Sequence, residues 1–357
     1  MISPQLHSES KPERILLVRI SAMGDVIHAI PAFATLRAAF PEASIGWVIE
    51  ERWRPLLPAG VDMVHTVRTK SWRKQPFAIS TWREIRDSRR QIKTAGYDLA
   101  VDVQGAIRSG VITWWTHAPR RVGFAKPRES QAAMFYTEKI TTTRRHIIEQ
   151  NLELTAAITG EPYLVYRSAE IPVSSTAQAF LRRLEGSGIL KLGRYAILNP
   201  GAGWGAKCWP TERYASVARA LGEHGLPSIV NYGPGEEEMA QAVEQQSNGA
   251  ARKISCTLEE LVGVTKHARL FVGGDTGPMH LAAHFGVPVV ALFGPTDPAR
   301  NGPYGTRSTV LRSADSKTSY SHTAETHEGL MGVSIDEVVS AAQKLLESET
   351  IPAGGAG

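Results

Sequence analysis

Phe271–Pro298 reads FVGGDTGPMHLAAHFGVPVVALFGPTDP, and the order of its apolar runs and glycines decides the fold. Leu270-Phe271-Val272 is a short apolar run that stops at Gly273-Gly274, as a buried strand does. Asp275-Thr276-Gly277-Pro278 then supplies a helix-capping residue type, a glycine, and a proline suited to a first helical position. Met279 to Phe285 is apolar enough for a short buried helix, closed by Gly286 and blocked by Pro288. Val289 to Phe293 is a second apolar strand, ending at Gly294-Pro295-Thr296-Asp297. Two parallel strands ending in Gly loops bring backbone amides and a helix N-terminus around one crevice, which suits a diphosphate. Glycines serving only tight turns would give the same pattern. Thr276 beside Asp275, with His280 one turn on, favours a nucleotide diphosphate, because these polar groups face the mouth of the crevice.

The same grammar extends in both directions. In the second half, Tyr195–Leu198 is a strand, Asn199–Lys207 a Gly loop and Pro210–His224 a helix. Pro227–Tyr232 is a further strand, ending at Gly233-Pro234-Gly235 before a helix that starts in Glu236-Glu237-Glu238. Leu258–His267 is a helix feeding the strand at Leu270, and Asp336–Glu347 is a final amphipathic helix. The first half opens with a strand at Arg14–Ile20, the loop Ser21-Ala22-Met23-Gly24-Asp25, and a helix at Val26–Phe40 that Pro31 is expected to kink. Strands follow at Ser44–Glu50, Met63–Val67 and Leu99–Val103, and helices at Thr81–Thr94, Ile107–His117 and Arg145–Ile158. Arg120–Arg128 reads as a loop. The expected fold class is α/β, two Rossmann-like doubly wound domains facing each other across a cleft. Expected boundaries are a disordered 1–13, domains at 14–175 and 176–333, a C-terminal helix at 334–348 and a flexible tail at 349–357.

With 357 residues, 42% hydrophobic and 21% charged, the chain has the composition of an ordinary soluble protein of two domains. Its two cysteines, Cys208 and Cys256, make neither a disulfide framework nor a metal-ligand pattern, and a reducing cytoplasm is expected. MISPQLHSESKPER lacks the apolar core of a secretory signal, and no apolar run approaches a membrane span. The formal net charge of +5 points to an anionic partner. Basic residues concentrate at Lys70–Lys93, interleaved with Trp72, Phe77 and Trp82, and at Arg120, Arg121, Lys126 and Arg128.

Among single residues, Asp25 lies where the first strand meets its helix, at the sheet edge where ligands bind in open α/β folds. It can serve as a general base or simply cap the helix. Lys207 ends a Gly-rich loop directly before Cys208-Trp209-Pro210, a stiff setting for a phosphate-binding ammonium. The Glu236–Glu238 run suits a helix start whatever its function, and one of the three could accept ribose hydroxyls. His280 is divided between a core role and a phosphate contact. His322–His327 reads as loop, and no metal site is expected.

On four motifs, Ser21-Ala22-Met23-Gly24-Asp25-Val26, Lys207-Cys208-Trp209-Pro210, Asp275-Thr276-Gly277-Pro278-Met279-His280 and Gly294-Pro295-Thr296-Asp297-Pro298, the chain resembles the ADP-heptose:lipopolysaccharide heptosyltransferase family. The match runs from Ile15 to about Leu346 and is nearest to the members that add the first heptose. The resemblance implies a GT-B fold and inverting transfer of L-glycero-D-manno-heptose from ADP-heptose to the Kdo residue of Kdo-lipid A. It implies no metal and no cofactor beyond that donor. Asp25 would be the catalytic base, and Lys207 would contact the donor phosphates. Glu237 would bind the ribose, with Glu238 beside it, and Asp275, Thr276, Gly277 and His280 would form the donor loop. Ser21, Met23 and Gly24, with Lys70, Arg73, Lys74, Arg120 and Arg121, would meet the anionic acceptor.

The chain departs from the family at Gly201-Ala202-Gly203-Trp204, which lacks the hydroxyl pair often found there. The implied setting is the cytoplasmic face of the inner membrane, held by charge, as a monomer with no nucleic-acid partner. The alternatives are transfer of the second heptose and a catalytically silent sugar-nucleotide-binding protein. A dehydrogenase is disfavoured by the missing GxGxxG, and an epimerase by the lack of further acid/base residues.

Overall fold

The computed structural model describes residues 11–162, 164–318 and 326–347. The expected disorder at 1–13 falls almost wholly outside these residues, as do His322 and the 349–357 tail. The chain forms two compact units, residues 1–144 with 148–170, and 145–147 with 171–357.

The first unit contains β1 (Arg14–Val18), α1 (Met23–Ala39), β2 (Ser44–Glu50), β3 (Met63–Val67), α2 (Thr69–Lys74) and α3 (Ile79–Thr94). It continues through β4 (Leu99–Asp102), α4 (Ile107–Trp115), β5 (Arg120–Phe124), β6 (Glu138–Ile140) and α5 (Ile147–Thr159), whose first residue is counted with the second unit. Its six strands pair in the order β3-β2-β1-β4-β5-β6, all parallel. Ile15, Leu16, Leu17 and Val18 are fully buried, which is why β1 carries no polar alternation.

Helix α1 runs on through Pro31 to Ala39, and Asn151 of α5 donates to the His28 carbonyl at 2.9 Å, just before the proline. The reading of Arg120–Arg128 as loop is corrected, since Arg120–Phe124 is β5. Two leading arginines and an internal glycine hid it. That glycine is required: a Cβ on Gly123 would lie 2.4 Å from the Tyr136 ring.

The second unit contains α6 (Ser175–Gly186), β7 (Ala196–Asn199), α7 (Thr211–Glu223), β8 (Ser228–Asn231), α8 (Glu237–Gln246), β9 (Ala251–Ile254) and α9 (Leu258–Lys266). Then come β10 (Leu270–Gly274), α10 (Gly277–His284), β11 (Val289–Leu292), α11 (Pro298–Asn301), β12 (Ser308–Leu311), α12 (Glu328–Met331) and α13 (Ile335–Glu347). Its parallel sheet has the order β12-β11-β10-β7-β8-β9. The division at Glu170/Ile171 precedes the expected one at 175/176, because Ile171 is fully buried in this unit and Ser174 caps α6. Helix α13 is no separate element: Val338, Ala341, Ala342 and Leu345 join the core formed by α7 and β10.

One buried pair in the first sheet gives the fold a pH dependence. His65 on β3 lies 2.7 Å from the Tyr97 hydroxyl, and burial lowers its pKa from 6.5 to about 4. Between those values the unfolded chain binds a proton that the folded chain refuses, so stability falls as pH falls through this window. The expected loss by pH 4 is roughly 3 kcal/mol. Melting temperatures from pH 7 to 4 should drop more steeply for the native protein than for His65→Gln, and parallel slopes would remove His65 as the cause.

Candidate active site

In each sheet the chain leaves the first strand in one direction and later returns to its other side. The loops at those two strand ends diverge, and the carboxyl edge between them is where open α/β sheets bind ligands. In the first unit this point lies between β1 and β4, in the second between β7 and β10.

At the first point, Asp25 occupies the first turn of α1. Its Oδ2 accepts from the Ala22 amide at 3.1 Å, and its Oδ1 meets the Arg19 guanidinium at 2.5 Å. Asp25 thus caps the helix and still presents a side chain 36% exposed. Arg19 is buried and also donates to the Val103 carbonyl of the β4 loop. Gln104 ties the two loops together by accepting from the Ile20 amide at 2.7 Å. Arg108 on α4 donates to Ser21 Oγ at 3.0 Å. Ser21 and Met23 are buried and Gly24 half-buried, so Ser21 and Met23 shape the loop more than they offer surface.

Around this carboxylate lies a cationic rim. Glu50 ends β2 and accepts from Thr69 Oγ1 at 2.6 Å and the Lys70 amide at 3.1 Å, which seats α2 at the same edge. The Lys70 ammonium is held below its ordinary pKa, first by Arg52 and then by burial, with Arg73 and Arg108 adding and Glu50 opposing. Lys74 is exposed on α2. Arg120 and Arg121 do not belong to this rim. They begin β5, where Leu99 pairs with Arg120, and so lie at the amino edge of the sheet. There Arg120 pairs with Glu138 at 2.8 Å and Arg121 donates to the Phe135 and Ala118 carbonyls. The structure thus places both at the opposite edge from the one expected of acceptor-binding residues, where they hold β5 and the chain around it.

At the second point, Asp275 follows β10. The helix cap is Thr276, with no side-chain capping bond, whereas the Asp275 carboxylate is buried between Lys207 and His280. Lys207 Nζ donates to its Oδ2 at 2.8 Å and to its carbonyl at 3.1 Å, and His280 Nε2 lies 3.3 Å from its Oδ1. Burial alone would raise the Asp275 pKa, but the His280 hydrogen bond and charge, and then Lys207, hold it well below the usual carboxylate range. Two of the three N–H donors of Lys207 are thereby used, leaving one for a ligand. The ammonium also stands 5.4 Å from the Trp204 ring centroid. Gly277 begins α10, whose N-terminal amides point along the same edge. The Thr296 hydroxyl after β11 is buried and has no hydrogen-bond partner among the described residues.

The glutamates of the acidic run have different surroundings. Glu237 is 65% exposed and pairs with Lys253 at 3.0 Å. Glu236 instead accepts from the Gly233 amide at 2.7 Å and approaches so close to Gly201 that a Cβ there would lie 2.1 Å from its carboxyl carbon. Asn231 and Asn199, at the ends of β8 and β7, bond each other at 2.7 Å beneath this loop. Sequence reasoning did not single out Arg19, Gln104 or Arg108, and it left Glu236 as one of three glutamates. Arg19 and Gln104 stand just past β1 and β4, Arg108 is the second residue of α4, and Glu236 directly precedes α8.

Glycosyltransferase family 9 (heptosyltransferase) matches residues 85–330. The chain is 30% identical over 306 residues to lipopolysaccharide heptosyltransferase 1 of Escherichia coli K12, covering 84% of this chain and 93% of that one. It is also 30% identical over 308 residues to the protein of that name from Pseudomonas aeruginosa PAO1, covering 85% and 84%. The structure of E. coli heptosyltransferase WaaC with ADP superposes with a TM-score of 0.78 at 27% identity, covering 93% of this chain and 99% of that one. Two doubly wound six-stranded parallel sheets are the units of the GT-B fold those enzymes share. The chain belongs to glycosyltransferase family 9, the heptosyltransferases.

Proposed function

We propose that the protein transfers L-glycero-D-manno-heptose from ADP-heptose to a Kdo residue of Kdo-lipid A, with inversion and without a metal. The observation that carries this is the chemical contrast between the two switch points: a held carboxylate in a cationic rim, and a buried Lys207–Asp275–His280 cluster beside a helix N-terminus. WaaC has been crystallised with ADP and with ADP-2-deoxy-2-fluoro heptose, which supports the same class of donor here.

In this reading the Kdo hydroxyl oxygen attacks the anomeric carbon, the carbon–oxygen bond to the diphosphate breaks, and ADP leaves with the electron pair. Asp25 takes the hydroxyl proton; Arg19 and the Ala22 amide fix its two oxygens for that task. Charge growing on the diphosphate is met by the remaining Lys207 donor, the α10 amides and the Thr296 hydroxyl. Lys70 and Arg73, with Arg52 and Arg108, grip phosphates and carboxylates of the acceptor. No helix among the described residues is long and apolar enough to cross a membrane. The proposed place of work is the cytoplasmic face of the inner membrane.

Glu236 is the proposed ribose partner in place of Glu237. Glu236→Gln is expected to raise the donor KM about tenfold, as loss of a charged hydrogen-bond acceptor does, whereas Glu237→Ala leaves it unchanged. Donor titrations of both variants decide between them, and the reverse order would restore Glu237. The function itself is tested by transfer from ADP-heptose to Kdo₂-lipid A and to the monoheptosylated acceptor. Turnover on the first supports the reading. Turnover only on the second moves the enzyme to the next heptose, and turnover on neither leaves a binding protein.

A further inference from the structure

The large apolar residues between Thr69 and Thr94 fall into two sets. Trp72, Ile85 and Ile92 pack into the core of the first unit. Phe77, Ile79 and Trp82 do not: they are 93%, 78% and 62% exposed, at the α2–α3 turn and the first turn of α3. Exposed large apolar side chains grouped in this way mark an interaction surface. Their surroundings are one-sided in charge. Lys70–Lys93 carries eight basic residues against two acidic ones, Glu84 and Asp87. Glu84 already faces Arg68 and Trp72, and Asp87 faces Arg86 and Arg90, so the acids are spent within the segment.

We propose that Phe77, Ile79 and Trp82 insert into the interfacial layer of an anionic phospholipid bilayer while the basic residues of α3 lie on its headgroups. An apolar tip with a basic collar meets both requirements of reversible attachment, shallow insertion and attraction to negative lipid. The tryptophan fits the same place, its ring being apolar with a polar edge that settles at the membrane–water boundary. A second copy of the chain is the poorer occupant, because a two-fold contact through this face would set like charges against each other. The inference deepens the proposed membrane setting and rests on it only for the choice of surface. It replaces attachment by charge alone with attachment by charge and insertion.

The test is sedimentation of the full chain with vesicles of phosphatidylglycerol and phosphatidylethanolamine, and with vesicles of phosphatidylcholine alone. The native protein should bind the first and not the second, and binding should fall as salt rises. F77S/I79S/W82S should weaken binding to the anionic vesicles on the order of tenfold or more, with an unchanged melting temperature. Its transfer to a Kdo acceptor without acyl chains should match that of the native protein. Equal vesicle binding by the triple variant would overturn the insertion, as would equal binding of the native protein to phosphatidylcholine. A dimer of the native protein that the triple variant loses would assign the face to a second copy and overturn it too. Failure of transfer in both proteins, with vesicle binding as expected, would count against the proposed reaction and not against the anchor.

Discussion

Asp25→Asn is expected to lower kcat on the order of 10²–10⁴-fold while leaving donor affinity nearly unchanged. The substitution keeps shape and keeps an oxygen to accept from the Ala22 amide, so the start of α1 survives. On the proposed reading, it removes the site for the proton that the acceptor hydroxyl loses. It also leaves the buried Arg19 with the Val103 carbonyl and no carboxylate, which should cost some stability. Melting curves therefore accompany the kinetics. A fall in kcat with folded protein and an unchanged donor KM supports the base. Near-native turnover would reject Asp25 as the base and leave it a helix cap.

Lys207→Met should have the second large effect, and it should be felt twice. The ammonium is 15% exposed and its partner Asp275 is 7% exposed, so removing it strands a buried carboxylate on His280 alone. Breaking such a pair costs roughly 3–5 kcal/mol. Transfer should fall about 10²–10³-fold as the remaining donor to the leaving diphosphate is lost. A cycle of Lys207→Met, Asp275→Asn and the double variant separates the two effects. Stability should partly recover in the double variant, whereas transfer should not. Full recovery of transfer would limit Lys207 to a structural role. Because the Asp275 carboxyl is held below the usual range, the pair's contribution is complete above pH ~4 and is lost only as pH falls through the depressed folded value. The pair adds no slope between pH 5 and 8, in contrast to the acid limb assigned to His65.

The alternation of apolar strand, glycine and helix was readable because buried parallel strands carry no polar residues and their turns need small ones. Phe271–Pro298 showed this most plainly, and β10, α10 and β11 lie within it. The expectation for Arg120 and Arg121 met a geometric limit. A basic pair beside an apolar run says nothing about which end of the strand it occupies, and the two ends of a parallel sheet face opposite ways. The sequence could not choose among Glu236, Glu237 and Glu238, because three consecutive glutamates differ only in where α8 begins, and one residue decides whether a carboxylate meets Gly233 or solvent. Asp275 had the composition of a helix cap, yet Lys207 from a distant loop and His280 from the next turn hold its carboxylate instead. Arg19 was hidden inside an apolar run, one residue past the end of β1.

Counted along the chain, both sheets place their strands in the same sequence, with the first at the centre and the next two on one side. A sheet wound in that way has one spot where neighbouring loops part. Two such units give two such spots, one for each reactant of the proposed transfer. Asp25 and Lys207, the proposed base and phosphate contact, then sit at corresponding addresses, the segment after each central strand. On that reading the chain has two such units because it has two molecules to hold.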